Sequence, residues 1–147
     1  MANAKTWFQP KAFPAIPSAA LLLLRLVIGA AFILHGWGKI QNPFGWMGPE
    51  AAVPGFLQFL AAFSEFGGGL AWILGFLTPL ASIGIFFTMS VAVFTHLAVL
   101  KDPFVSATGG RSYELGLVYW CASILFLAMG PGRLSLDDKF FGARGSR

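Results

Sequence analysis

The sequence holds a single cysteine, Cys121, so no intramolecular disulfide and no CxxC redox pair can form within it. Its place in an apolar stretch reads as a buried structural thiol. Haem-ligating patterns and a glycine-rich dinucleotide fingerprint are missing, so electron transfer by this chain requires a bound carrier or a partner. Charge is scarce: 11% of the 147 residues are charged, against about 25% in soluble domains. Basic residues never cluster into a long run, which gives no footprint for nucleic acid. No HxxxH or ExxH spacing falls on any one apolar segment, so no metal site is expected.

Apolar and aromatic residues fill the space that charge leaves. Hydrophobic residues make up 56% of the chain, with sixteen Phe and five Trp, and mean hydropathy is +0.72. Such a composition makes the lipid bilayer the expected solvent for most of the surface. Four apolar segments, about 18–40, 54–77, 79–100 and 112–129, approach the ~20 residues an α-helix needs to cross a ~30 Å hydrocarbon core. The expected fold is therefore all-α, an up-down bundle of four transmembrane helices in the cell (plasma or inner) membrane.

The punctuation between these segments is specific. Pro10, Pro14 and Pro17 break up helix in an N-terminal arm, residues 1–18, whose Trp7, Phe8 and Phe13 suit the headgroup level. This arm does not read as a signal peptide, because the apolar run after it is too long for an h-region. Pro54 suits an early helical position, and Thr78-Pro79 reads as an N-cap followed by proline at the first helical position. Gly130-Pro131-Gly132 stops the last span and closes a membrane domain of residues 19–132. In the tail, residues 133–147, Ser135 to Asp138 has the spacing of a capping box, and LDDKFF can form a short amphipathic turn at the interface.

An even number of spans puts both termini on one side. Lys5, Lys11, Arg133, Lys139, Arg144 and Arg147 lie there, whereas the opposite loops, about 41–53 and 101–111, carry only Lys101 and Arg111, with Lys39 at a span end. The positive-inside rule makes the termini cytoplasmic.

Six polar residues within or at the ends of these apolar segments form the candidate site: Arg25, His35, Lys39, Glu65, His96 and Glu114. Glu65 is the most telling, because a carboxylate near the membrane midplane costs about 2.5 kcal/mol or more unless it is neutral, paired or facing water. Arg25, Gly29, Phe32, Gly36 and Lys39 step by four, three, four and three, so they share one helical stripe with His35 at its margin. Turned inward, that stripe lets Arg25 reach Glu65, and most of the polar groups converge on the outer half of the bundle. Each has a plainer reading: Arg25 snorkels, Lys39 anchors at the interface, the histidines satisfy carbonyls, and Glu114 pairs with Arg111 at a helix start. Gly67-Gly68-Gly69, just after Glu65, reads as a helix-packing patch rather than a ligand loop.

The string RLVIGAAFILHGWGK at 25–39, EFGGGLAWILGFLTPLA at 65–81, the Tyr113-Glu114-Leu115 start of the fourth span and GPGRLSLDD at 130–138 occur in that order. This ordered set resembles the DoxX family of small membrane proteins. The resemblance implies a four-helix membrane bundle and a link to redox chemistry beside partner enzymes, with members connected to quinone or thiol systems. It directs interest to Arg25, His35, Lys39, Glu65 and Glu114 and assigns none of them a catalytic role.

Three functions follow as expectations. The first is a membrane subunit of a quinone- or thiol-linked redox system, with no intrinsic cofactor but a quinone held in a polar pocket near the outer face, acting with a soluble or membrane redox partner. In it, His96 or His35 hydrogen-bonds a quinone carbonyl and Glu65 or Glu114 exchanges protons. The second is a non-enzymatic membrane anchor or assembly subunit, with the loop at 41–53 as lid or docking surface. The third, a small-metabolite carrier coupled through Glu65, ranks last because four spans form a channel only in a homo-oligomer.

Overall fold

Proline and glycine set the limits of the first helix. In the computed structural model, which describes residues 7–11 and 13–142, helix α1 spans Ala15–Gln41 and starts directly after Pro14. Pro17 does not break it as expected: it falls in the first turn, where a backbone N–H has no intrahelical partner to lose. Helix α2 spans Gly55–Leu74 and stops at Gly75, whose φ of 60° is the left-handed cap conformation. Helix α3 spans Thr78–Phe94 and widens into a π-turn over Thr95–Val99. Helix α4 spans Glu114–Met129, and the short α5 spans Leu136–Phe141. Among the described residues the structure is all-helical. The stretches Ala15–Gln41, Gly55–Leu74 and Thr78–Val99 are long and apolar enough to cross a membrane, whereas Glu114–Met129 is a shorter apolar helix.

Consecutive helices run antiparallel, as their contacts show. A Cβ at Gly29 would meet Gly69 O at 2.8 Å, and one at Gly36 would meet Phe66 N at 2.6 Å, so rising numbers on α1 face falling numbers on α2. Only glycine permits this approach of two backbones. The stripe read from the sequence turns inward: Arg25, Gly29, Phe32 and Gly36 are buried, Ile28 is buried beside them, and Lys39 at the end of the stripe is part-buried. The glycine run packs as well, with Gly69 against Gly29 and Gly68 against Ile85 of α3. Between α2, α3 and α4 the same antiparallel register holds, through Trp72 with Ser82 and Trp120 with Ser90.

An aromatic core sits where α1, α2 and α4 meet. The Phe32 ring stands edge-on to Trp72 at 5.6 Å, Trp72 to Phe126 at 4.7 Å, and Tyr119 lies 4.8 Å from Phe32. The indole N–H of Trp72 donates to Ser82 Oγ, which donates in turn to the Thr78 carbonyl. Trp120 repeats the arrangement through Ser90 and the Phe86 carbonyl. Two large rings thereby enter an apolar interior without a stranded donor. Cys121, expected to be buried, is exposed. It shares the outward face of α4 with Val118 and Leu125, while Ala122, Ser123 and Phe126 turn inward.

The described segments before α1 and after α4 fold back on the bundle. Lys11 Nζ donates to the Ala128 carbonyl at 2.6 Å, one of the last-turn acceptors of α4. Phe8 packs on Phe141 of α5, and Phe140 on Phe76. Ser135 caps α5 by accepting from Asp138 N, as the capping-box spacing predicts. Of the basic residues counted for orientation, Lys5, Arg144 and Arg147 lie outside the described residues.

Candidate functional site

Gly36 is the origin of the central pair. Because Phe66 backbone packs against it, the residue before Phe66 and the residue one turn after Gly36 are brought together. These are Glu65 and Lys39. Lys39 Nζ lies 2.6 Å from both Glu65 carboxylate oxygens, with side-chain exposures of 26% and 5%. A carboxylate at mid-helix in an apolar segment is thus paired rather than bare, as its desolvation demands.

The pair has a roof. Trp46 of the loop between α1 and α2 sets its ring 4.6 Å from Lys39 Nζ, a cation–π distance. That loop is pinned by buried Gln58, whose backbone carbonyl accepts from Trp46 Nε1 at 3.0 Å. Its side-chain oxygen accepts from Met47 N, and its amide nitrogen donates to the Val53 carbonyl. Phe44 stacks on Phe59 nearby, with centroids 5.1 Å apart. Neither Gln58 nor Trp46 stood among the sequence candidates. A glutamine one turn inside an apolar span, facing a loop rich in aromatic residues, was the available signal.

Arg25 does not reach Glu65. It is fully buried at the opposite end of the bundle, where its Nη2 donates to the Leu134 carbonyl at 2.5 Å. Its other guanidinium nitrogens, Nε and Nη1, have no partner among the described residues. Asp137 of the same C-terminal segment adds an opposite charge to its surroundings. The expected Arg25–Glu65 pair fails because Lys39, on the same stripe, lies beside Glu65, while the C-terminal segment supplies Arg25 with a carbonyl that the sequence order hides.

The remaining candidates separate. His35 is exposed on α1, with its ring 6.2 Å from Tyr119 of α4. Glu114 is exposed at the start of α4. The Arg111 expected to pair with it instead has Nε 3.7 Å from Asp102 Oδ1. His96 contacts the other oxygen of that same carboxylate, with Nδ1 2.7 Å from Oδ2. Antiparallel packing puts Lys39, Gln58, His96 and Glu114 at one end of the bundle and Arg25 at the other. A separate apolar groove opens between α2 and α3, lined by Phe63, Gly67, Ala71, Leu80 and Gly84, and none of the six candidates lines it.

Antiparallel apolar helices with a buried, paired carboxylate and an outward surface of Phe, Leu and Val define a multi-pass helical membrane protein. The DoxX family model matches residues 20–98, more than half of the chain, and the protein belongs to the DoxX family. It is 33% identical over 123 residues to a Haemophilus influenzae protein named "Uncharacterized protein", covering 82% of this chain and 90% of that one. It is 31% identical over 124 residues to inner membrane protein YqjF of Escherichia coli, covering 83% and 92%. A Bacillus subtilis protein named "Putative oxidoreductase CatD" is 28% identical over 122 residues, covering 82% and 86%. No solved structure matches the chain. Family, relatives and apolar helices agree on a multi-pass protein of the inner membrane.

Proposed function

We propose that this protein is the membrane subunit of a quinone- or thiol-linked redox system, binding the polar head of a quinone-like amphiphile near the outer face of the bundle. The observation that carries this reading is the part-buried Lys39–Glu65 pair beneath Trp46. An ammonium and a carboxylate held in an apolar surround can each hydrogen-bond a ligand oxygen, and the carboxylate can take up or release a proton. The oxidoreductase name carried by the Bacillus relative supports the redox assignment. In this reading four helices cross the bilayer. The sixteen residues of α4 cover about 24 Å by helical rise, and flanking Tyr113 and Gly130 extend them to the interface. Both termini lie in the cytoplasm, so a C-terminal green fluorescent protein fusion is bright and a C-terminal alkaline phosphatase fusion inactive.

The competing reading, a non-enzymatic anchor or assembly subunit, draws on the mutual satisfaction of the pair: Lys39 occupies both carboxylate oxygens, which is what a purely structural bridge does. Gentle purification from the native membrane, with optical and mass-spectrometric detection, separates the two. Near-stoichiometric quinone that disappears in Glu65→Gln supports the redox subunit. Ordinary lipid alone, accompanied by a protein partner, favours the anchor.

A further inference from the structure

At the end of α3 the backbone does something costly. The helix widens into a π-turn over Thr95–Val99, where Leu100 N donates to the Thr95 carbonyl, and Lys101 then takes a φ of 54°. π-Turns and left-handed non-glycine residues both concentrate at functional positions. Their combined result is to bring Asp102 back onto His96. Asp102 N donates to the His96 carbonyl at 2.9 Å, and Asp102 Oδ2 lies 2.7 Å from His96 Nδ1. The backbone bond alone closes the reversal, so the side-chain contact adds orientation of the imidazole. Asp102 is 11% exposed at its side chain, and Arg111 stands on its other oxygen, Oδ1.

A carboxylate only accepts, so the proton of this contact sits on Nδ1. In a neutral ring, Nε2 is then a lone-pair acceptor, and no described residue donates to it. His96 is 32% exposed at its side chain and lies at the same end of the bundle as Lys39 and Gln58. We infer that Asp102 is a positioning residue that locks His96 with Nε2 as an acceptor for the hydroxyl of a hydroquinone-type ligand at the outer rim. This rests on the redox-subunit reading and adds a preference to it. A neutral imidazole acceptor takes an O–H donor and gains nothing from a quinone carbonyl or a lipid phosphate, which are themselves acceptors.

The test uses the full-length protein in phosphatidylcholine nanodiscs under argon. Nitrogen-15 spectra read the histidine tautomer, and a His35→Gln variant assigns the only other histidine. Titration with duroquinol and with its dimethyl ether, which lacks both hydroxyls, reads binding. Wild type is expected to show the Nδ1–H tautomer and to bind duroquinol about tenfold more tightly than the ether, the worth of one hydrogen bond. Asp102→Asn is expected to mix the tautomers and erase that preference, and Asp102→Glu to restore part of it. If Asp102→Asn unfolds, the folded Asp102→Glu and His96→Gln variants carry the comparison.

Duroquinol binding and tautomer both unchanged in Asp102→Asn would overturn the positioning role while leaving the redox-subunit reading intact. A locked tautomer in wild type with no duroquinol binding would overturn the redox-subunit reading and, with it, the ligand assigned to His96. Displacement of duroquinol by added phosphatidylglycerol would give the site to a lipid hydroxyl and overturn the quinol assignment.

Discussion

Asp137 caps a helix that begins 59 residues before it: its Oδ2 accepts from Thr78 N at 2.9 Å, while Oδ1 accepts from Leu77 N at 2.7 Å. Thr78 was expected to cap α3 itself. It is instead the first helical residue, its own hydroxyl is buried without a partner among the described residues, and the cap position belongs to Leu77. The first amides of α3 are orphans in an apolar setting, and a carboxylate there also suits the positive end of the helix dipole. Asp137 N donates in turn to the Gly75 carbonyl, so α5 is clasped to the α2–α3 turn from both directions.

Asp137→Ala is expected to lower stability by about 3 kcal/mol, because two charge-assisted hydrogen bonds vanish and buried Arg25 loses its nearby counter-charge. Thermal unfolding of the purified protein in detergent measures it. Unchanged unfolding would mean that α5 is a passive attachment.

Lys39 and Glu65 should behave as one unit. Lys39→Ala leaves the buried Glu65 carboxylate alone, Glu65→Ala leaves the part-buried Lys39 ammonium without its partner, and the double variant is expected to be less damaged than the sum of the two. A double-mutant cycle should give a coupling of about 2 kcal/mol. The corresponding cycle between Arg25 and Glu65 should give coupling near zero.

Gly36→Ala is expected to force α1 and α2 apart, since the new methyl would lie 2.6 Å from Phe66 N and 2.9 Å from its Cα, and backbone cannot step aside as a side chain does. A loss of about 2 kcal/mol follows. Gly38 is the control: a methyl there meets nothing within 4 Å, and Gly38→Ala should be neutral or slightly stabilising.

Gln58→Leu should release the outer loop while sparing the helices. The substitution keeps similar bulk but removes the side-chain oxygen held by Met47 N and the donor to the Val53 carbonyl. Faster amide exchange confined to about residues 44–53, with α1 and α2 still protected, is the expected result. Uniform exchange across α2 would instead make Gln58 a helix-stability residue.

The inward face of α1 was legible because it depends on local periodicity, whereas Cys121 of α4, expected to be buried, faces outward. Steps of three and four along α1 define a stripe whatever surrounds it, and Gly29 and Gly36 on it mark close backbone approach. Part of the site was legible for the same reason: Lys39 and Glu65 are costly residues in apolar segments. The partners were not. Arg25 and Lys39 occupy one stripe, and choosing between them for Glu65 requires the axial offset of α1 against α2, which Gly36 on Phe66 sets. Arg111 and His96 both turn to Asp102, a loop residue whose position depends on a π-turn and a left-handed Lys101.

By itself, then, the sequence determined the apolar solvent, the all-helical character and the buried face of α1, because each follows from the kind and spacing of neighbouring residues. The tertiary structure alone decided the pairings: Lys39 with Glu65, Asp102 with His96, and Asp137 on the start of α3. A buried charge takes the polar group that packing brings within about 3 Å, and that distance is a property of packed helices and the segment after α4 rather than of sequence separation.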